Sequence, residues 1–443
     1  MKRLAIFLGA VLLATGAASA ADGALSLHEA SVRGLERSAA TRLSASGRAR
    51  ADAQDSQAFA ALLPKLDASA YQTRRTANLR AQGINFPGLP ALAGPFNTFD
   101  ARLTLSQTIF DARAFLVAKG AGLAVDIARA QDEVAKGQTL SRVALAYIAV
   151  LRAEQGLAAA DADASLARDL LALAQDQRKA GVASGVDVAR AQTRVSQDEF
   201  AQAQAGAAFS SAAIALKRVV LLPQGEALRL TDGLALAAQP LPDADTAVRK
   251  AFDQRQELTA LSLRRKSREY ERDAARARRL PTLGAFADYG TSANTPDENT
   301  EDTYTFGAKV GMPLFSGGAI SADIRSAETA LDDAGIQLED GQAQVEEDVR
   351  IALAQAASSA EQVRAAEATR GLAGKELTLA RDRFAHGVGS NIDVVEAQAA
   401  LSRARAGAID ALASAQVARA NLAAALGEPE SFHLLPVSAQ SPE

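Results

Sequence analysis

The chain has 443 residues, 48% of them apolar and 23% charged, with a formal net charge of −4 and no cysteine. That apolar share excludes a disordered chain, and the length allows two or three ordinary domains. Without Cys there are no disulfides, no thiolate metal site, no cysteine nucleophile and no acylated N-terminal cysteine, and the mild negative charge gives no reason to expect a nucleic-acid partner.

The chain opens on Lys2 and Arg3, an apolar stretch from Leu4 to Leu13, and the small residues Ala18, Ser19 and Ala20. This pattern predicts a secretory signal over residues 1–20 and an exported mature chain. No other long uninterrupted apolar run follows, so no further transmembrane helix is expected.

A leading helix is expected from Leu27 to Leu63, where Pro64 ends it. Leu66 to Thr73 reads as a strand. In Phe99 to Ile109 the odd positions (Phe99, Ala101, Leu103, Leu105, Ile109) are mostly apolar and the even ones polar, the period of a strand with two unlike faces. No Pro lies between Pro95 and Pro223. Ala, Leu, Gln, Glu and Arg dominate that stretch, which predicts a long helix to Gly181 and a returning helix from Asp187 to Leu222. Leu140, Val143, Tyr147 and Val150 recur at spacings of three and four, a narrow seam suited to coiled-coil packing.

After a linker over residues 226–242 the pattern repeats. A helix is expected from Asp243 to Leu280, strands over Leu283 to Tyr289 and Thr303 to Leu314, a long helix to Gly387 and a return from Asp393 to Leu426. Eleven of the 20 aromatics fall in residues 64–115 and 281–315, which fits membrane-interface girdles on the strands. An ordinary half-buried soluble sheet would carry the same alternation.

The chain is an internal duplication. DQRKAGVASGVDVARAQ (Asp176 to Gln192) and DRFAHGVGSNIDVVEAQ (Asp382 to Gln398) match at eight of 17 positions with an offset of 206. The repeats occupy residues 21–225 and 243–427, with a tail over 428–443. A repeat this regular means two copies of one structural unit: half-length helix, two strands, long helix, sharp turn, half-length helix. Each long helix would reach roughly 100 Å at 1.5 Å per residue. Four strands cannot close a barrel, and an open sheet cannot lie in lipid with unpaired edges. Three chains would pool twelve strands, within the range of outer-membrane barrels.

The signal, the duplication, the strand pairs and GVGSNIDVVEAQ (Gly387 to Gln398) resemble the TolC-type outer-membrane efflux protein family, from about Leu27 to Gly427. The resemblance implies a mixed, mainly α fold. Long coiled-coil helices would form a periplasmic α-barrel, and four strands per chain would contribute to a trimeric 12-stranded transmembrane β-barrel. It implies an outer-membrane exit duct with a long periplasmic extension, serving tripartite efflux or type I secretion, and no enzyme. The implied partners are two further copies of the chain, a periplasmic adaptor, an inner-membrane pump and the outer-membrane bilayer; no cofactor or metal is implied.

The turns between long and returning helices are the candidate tip and gate. Gly181 and Gly387 suit the left-handed position that stops a helix. Ser184 and Ser390 lie in the turns, and Asp187 and Asp393 begin the returning helices, where a carboxylate favours the dipole and can cap. Asp393 and Glu396 share a helix face, and the resemblance places acidic residues at these positions in the periplasmic constriction. Arg190 replaces Glu396 in the first repeat and could pair with the acids across the tip. Some family members close the tip with a tyrosine and an arginine; Phe384 and Gly389 stand at those positions here, so Phe384 is expected to pack there. A periplasmic coiled-coil adaptor or scaffold is the competing reading, and the paired strands argue against it. A secreted enzyme finds no nucleophile elbow, P-loop or metal motif to support it.

Overall fold

The computed structural model describes residues 24–236, 240–386 and 388–436. The signal segment, Gly387 and the end of the tail lie outside them.

The order along the chain is β1 (Ala24–Leu25), α1 (Leu27–Arg37), α2 (Ala39–Ala60), β2 (Lys65–Asn78), β3 (Leu92–Phe110), α3 (Ala112–Lys179) and α4 (Gly185–Val219). There follow β4 (Arg229–Leu230), β5 (Asp232–Gly233), α5 (Ala244–Gln254), α6 (Gln256–Ala277), β6 (Thr282–Ala293), β7 (Glu301–Gly311), α7 (Ala319–Ala385), α8 (Asn391–Ala425) and β8 (Leu435–Pro436). Apart from the short strands, which no sequence pattern marked, the second half repeats the first. The long helices α3 and α7 have 68 and 67 residues, so each spans about 100 Å.

The leading helices differ from expectation. Each is broken once, at Ser38 and at Arg255, into pieces of 11 and 22 residues. At Ser38 the backbone is extended, and the hydroxyl accepts from Thr41 N at 3.2 Å, capping α2. At Arg255 the guanidinium reaches Glu257, Asp348 and the carbonyl of Ala425. Only the break at Ser38 carries a side-chain cap; at Arg255 the helix restarts without one.

The four long strands form one antiparallel sheet in the order β2-β3-β6-β7. Its register sets Ala68, Leu103, Tyr289 and Tyr304 in one row and Leu66, Leu105, Ala287 and Phe306 in another row on the same face. Between them lies a row of the other face, Asp67, Thr104, Asp288 and Thr305. The apolar rows are open to solvent, with Leu103 49% and Phe306 76% exposed. A face so apolar and so uncovered is a membrane-facing pattern. On the polar face Arg102 bonds Asp100 on its own strand and Asp288 on β6, 3.1 Å away. Gly290 lies beside Arg102, and a Cβ there would meet the Arg102 backbone at 2.6 Å. Strands β2 and β7 are free edges within the chain.

Below the sheet, α3 packs against α2, α4, α6 and α8, and α7 against α5, α6 and α8. One 18-residue stretch of α3 is apolar enough to cross a membrane by length and composition, although no such run was expected outside the signal. A third of that stretch is buried within the chain, where α3 packs against its neighbouring helices. Val143, Tyr147 and Val150 of that seam are fully buried. The main core joins them to Leu25, Leu27, Leu216, Leu234, Phe432 and Leu434. There Tyr147 Oη lies 2.8 Å from the Leu25 carbonyl and 2.9 Å from Asp232 Oδ2, which also accepts from Leu27 N at 2.7 Å. Burial, with the adjacent Asp232 carboxylate, pushes the Tyr147 hydroxyl well above its ordinary pKa. This knot ties the start of the chain and the inter-repeat linker to the middle of α3. The short pairs β1–β4 and β5–β8 close around it.

Candidate functional site: the paired helical tips

At the end of α3, Gly181 takes φ +77°. Val182 N donates to Gln177 O at 2.9 Å and Gly181 N to Arg178 O at 3.0 Å, the bond pair of a left-handed glycine stop. At the end of α7, Val388 N donates to Arg383 O at 3.0 Å.

The returning helices start two residues before the aspartates, with Ser184 and Ser390 as the capping residues. Asp187 N lies 3.3 Å from Ser184 Oγ, while Asp187 Oδ2 accepts from Ser184 N at 2.9 Å and Oγ at 2.7 Å. Asp393 Oδ2 accepts from Ser390 N at 3.4 Å. The serine satisfies the helix and the aspartate satisfies the serine, a reciprocal box. The aspartates are thus the third helical residue, not the cap itself. Hydrogen bonds from Ser184 hold the Asp187 carboxyl below its ordinary range, with Arg190 helping.

Arg190 stands 4.0 Å from Asp187, one turn along the same helix, and reaches neither Asp393 nor Glu396 within the chain. Asp393 and Glu396 are exposed, and Glu396 has no side-chain hydrogen bond or ion pair among the described residues. Phe384 is buried with Leu377, Val394, Ala397 and Leu401, and Leu170 of α3 joins the same cluster. Two bonds cross between the tips: Gln177 Nε2 to Phe384 O at 3.0 Å and Asn391 Nδ2 to Asp187 O at 2.9 Å.

Further along the helices lies a polar layer that sequence reasoning missed. Asp163, Asp198 and Gln398 are buried between α3, α4 and α8. Gln398 Nε2 donates to Asp198 Oδ2 at 3.1 Å, Arg405 binds Asp163 at 2.6 Å, and Arg194 bridges Asp198 and Ser402, each at 2.9 Å. Burial pushes the Asp198 carboxyl up, against the pull of Arg194. Three helices from both repeats meet on these groups, so the two hairpins are held together by charge and amide as well as by the Phe384 cluster. No spacing in the sequence marks the layer, because a polar residue every few positions is ordinary for a helix surface.

Comparison with known proteins agrees with the duplication. The profile of the family described as "Outer membrane efflux protein" matches residues 31–220 and 247–428, one stretch per repeat. The chain is 30% identical over 316 residues to "Alkaline protease secretion protein AprF" of Pseudomonas aeruginosa; the match covers 69% of this chain and 65% of that protein, just under two thirds of its length. It is 26% identical over 414 residues to "Proteases secretion protein PrtF" of Dickeya chrysanthemi, covering 90% and 86%. The CmeC outer membrane channel of Campylobacter jejuni has the same fold, with a TM-score of 0.79 at 18% identity over 94% of this chain and 87% of that one. The adaptor or scaffold reading is set aside, and the protein belongs to the outer membrane efflux protein family, a channel protein of the outer membrane with a long periplasmic helical extension.

Proposed function

We propose that three copies of this chain form the exit duct of a type I secretion system and carry protein substrates to the outside. A periplasmic adaptor and an inner-membrane pump would complete the route. The open sheet carries the assembly part of the reading. Its apolar face suits lipid, and its two free edges have no partner inside the chain; backbone groups in lipid must be paired. Three sheets of four strands satisfy every edge. The resemblance to AprF and PrtF, both named as secretion proteins for proteases, favours protein over small-molecule cargo.

In this duct the tips lie at the periplasmic end, about 100 Å from the sheet. Gly181, Ser184, Ser390, Asp187 and Asp393 shape the turns that an adaptor would touch; Gly387 lies outside the described residues. Asp393 and Glu396, repeated three times around the axis, place six carboxylates at the constriction and favour cations there. Arg190 would meet the acids of a neighbouring copy, since it does not reach them in its own.

The test is complementation. In Pseudomonas aeruginosa lacking AprF, the chain is expected to restore extracellular alkaline protease and to be extracted from the outer membrane as a trimer by detergent-corrected mass. Protein present as a trimer without protease export would overturn the cargo assignment. A monomer released without detergent would overturn the duct.

A further inference from the structure

Both hairpin turns of the sheet lie at its end away from the helices, because α2, α3, α6 and α7 all join the other end. The two turns carry opposite charge. Between Asp67 and Asp100 the chain has Arg74, Arg75 and Arg80 and no acidic residue. Between Arg279 and Lys309 it has no basic residue, while Asp297, Glu298, Glu301 and Asp302 cluster at the second turn. The first hairpin also overruns the sheet: β3 pairs with β6 only from Phe99 onward, and Leu92 to Asn97 pair with β2 alone.

All seven charged residues of the two turns are exposed. Arg74, Arg80, Asp297, Glu298 and Glu301 form no ion pair among the described residues. Arg75 rests over the Phe96 ring at 5.3 Å, and Asp302 accepts from Tyr289 Oη at 3.0 Å. The arginines at 74 and 75 lie on one free edge and the acids at 301 and 302 on the other.

The faces match as well. Arg74 falls on the face of Leu66 and Ala68, as Asp302 falls on that of Tyr304 and Phe306; Arg75 and Glu301 fall on the opposite face. Residues opposite one another in neighbouring strands share a face. In an antiparallel junction, a register that sets Arg74 beside Asp302 also sets Arg75 beside Glu301. That register steps four residues from the in-line level of the chain's own sheet, where Tyr304 stands level with Ala68, and a stagger of this kind is what barrel closure demands.

We propose that the partner of this rim is a second copy of the chain, and that Arg74 and Arg75 of one copy clamp Asp302 and Glu301 of the next at the outer end of the barrel, with Arg80 facing Asp297 and Glu298. The clamp rests on the threefold duct proposed above and fixes which edges meet and in what register.

The experiment measures the temperature at which the detergent-extracted trimer dissociates. Arg74→Glu with Arg75→Glu, and separately Glu301→Arg with Asp302→Arg, are expected to cut the trimer fraction severalfold at the wild-type midpoint. The four changes together are expected to restore it. On the unmodified protein, raising salt from 50 mM to 1 M is expected to lower the midpoint, since exposed pairs are screened. A wild-type trimer whose midpoint ignores both reversals and salt overturns the clamp and leaves the duct standing. Loss on arginine reversal without rescue by the swap also overturns it, and assigns the arginines to anionic lipid. A wild-type monomer sinks the duct itself.

Discussion

Asp187 and Asp393 stand 206 residues apart and make the same reciprocal bonds to Ser184 and Ser390. The helices they open have equal length, 35 residues each, yet α8 buries 16 of its residues and α4 only four. At several matched positions the second repeat faces inward where the first faces out. Gln398 is buried and Gln192 exposed; Asn391 is buried and Gly185 exposed; Phe384 is buried and its counterpart Arg178 exposed. Duplication has kept the local instructions, the stop and the cap. It has not kept the environment, because α8 lies between α7 and α3 while α4 is covered on one side. That open side of α4 leaves Val186, Phe200 and Ile214 exposed, and in the proposed duct it would face a neighbouring copy.

The contrast can be broken most directly at Phe384. Phe384→Ala is expected to cost about 3–5 kcal/mol, the usual loss for a buried aromatic, whereas Arg178→Ala at the matching position should stay within about 0.5 kcal/mol. Chemical denaturation followed by circular dichroism measures both, and equal costs would mean the tips are not packed differently.

The caps should behave alike. Ser184→Ala and Ser390→Ala are each expected to lose about 1 kcal/mol in the same assay; a clear inequality would mean that tertiary contacts, and not the shared box, hold one of the turns.

The smallest effect is a matter of sign. Burial raises the Asp198 carboxyl in the folded chain, so the folded state binds that proton more tightly than the unfolded one. Its contribution to stability grows as pH falls through the raised value and levels off below the unfolded value of about 3.9. Asp187 is held low, so its contribution is present above about 3.9 and disappears as pH falls further. Asp198→Asn is expected to remove the gain on mild acidification, and Asp187→Asn to soften the loss at lower pH. Melting temperatures across pH 3 to 7 would show a reversed order as a failure.

Much of the fold was legible because Pro and alternation are local signals. Pro64 and Pro281 separate helix from strand, and the alternation read over Phe99–Ile109 and Thr303–Leu314 falls on β3 and β7, although β7 ends at Gly311 and β2, β3 and β6 run beyond the predicted bounds. The breaks at Ser38 and Arg255 were not legible: a serine or arginine inside a helical pattern is common, and one of the groups the Arg255 guanidinium reaches is a carboxylate 93 residues away. The Tyr147–Asp232 knot and the Asp163–Asp198–Gln398 layer were hidden for the same reason, since both are made by residues distant in the chain. At the tips, the glycine stop and the serine were visible in the motif, while the exchange of roles between serine and aspartate needed coordinates.

The two free edges of the sheet carry a genetic consequence. A strand edge that is satisfied only by another copy makes each chain answerable for its neighbours. In a threefold barrel built from equal amounts of sound and edge-damaged chains, only about one assembly in eight is wholly sound. A lesion at the rim would therefore be dominant over a healthy allele, whereas a cavity at Phe384, confined to its own chain, would be recessive.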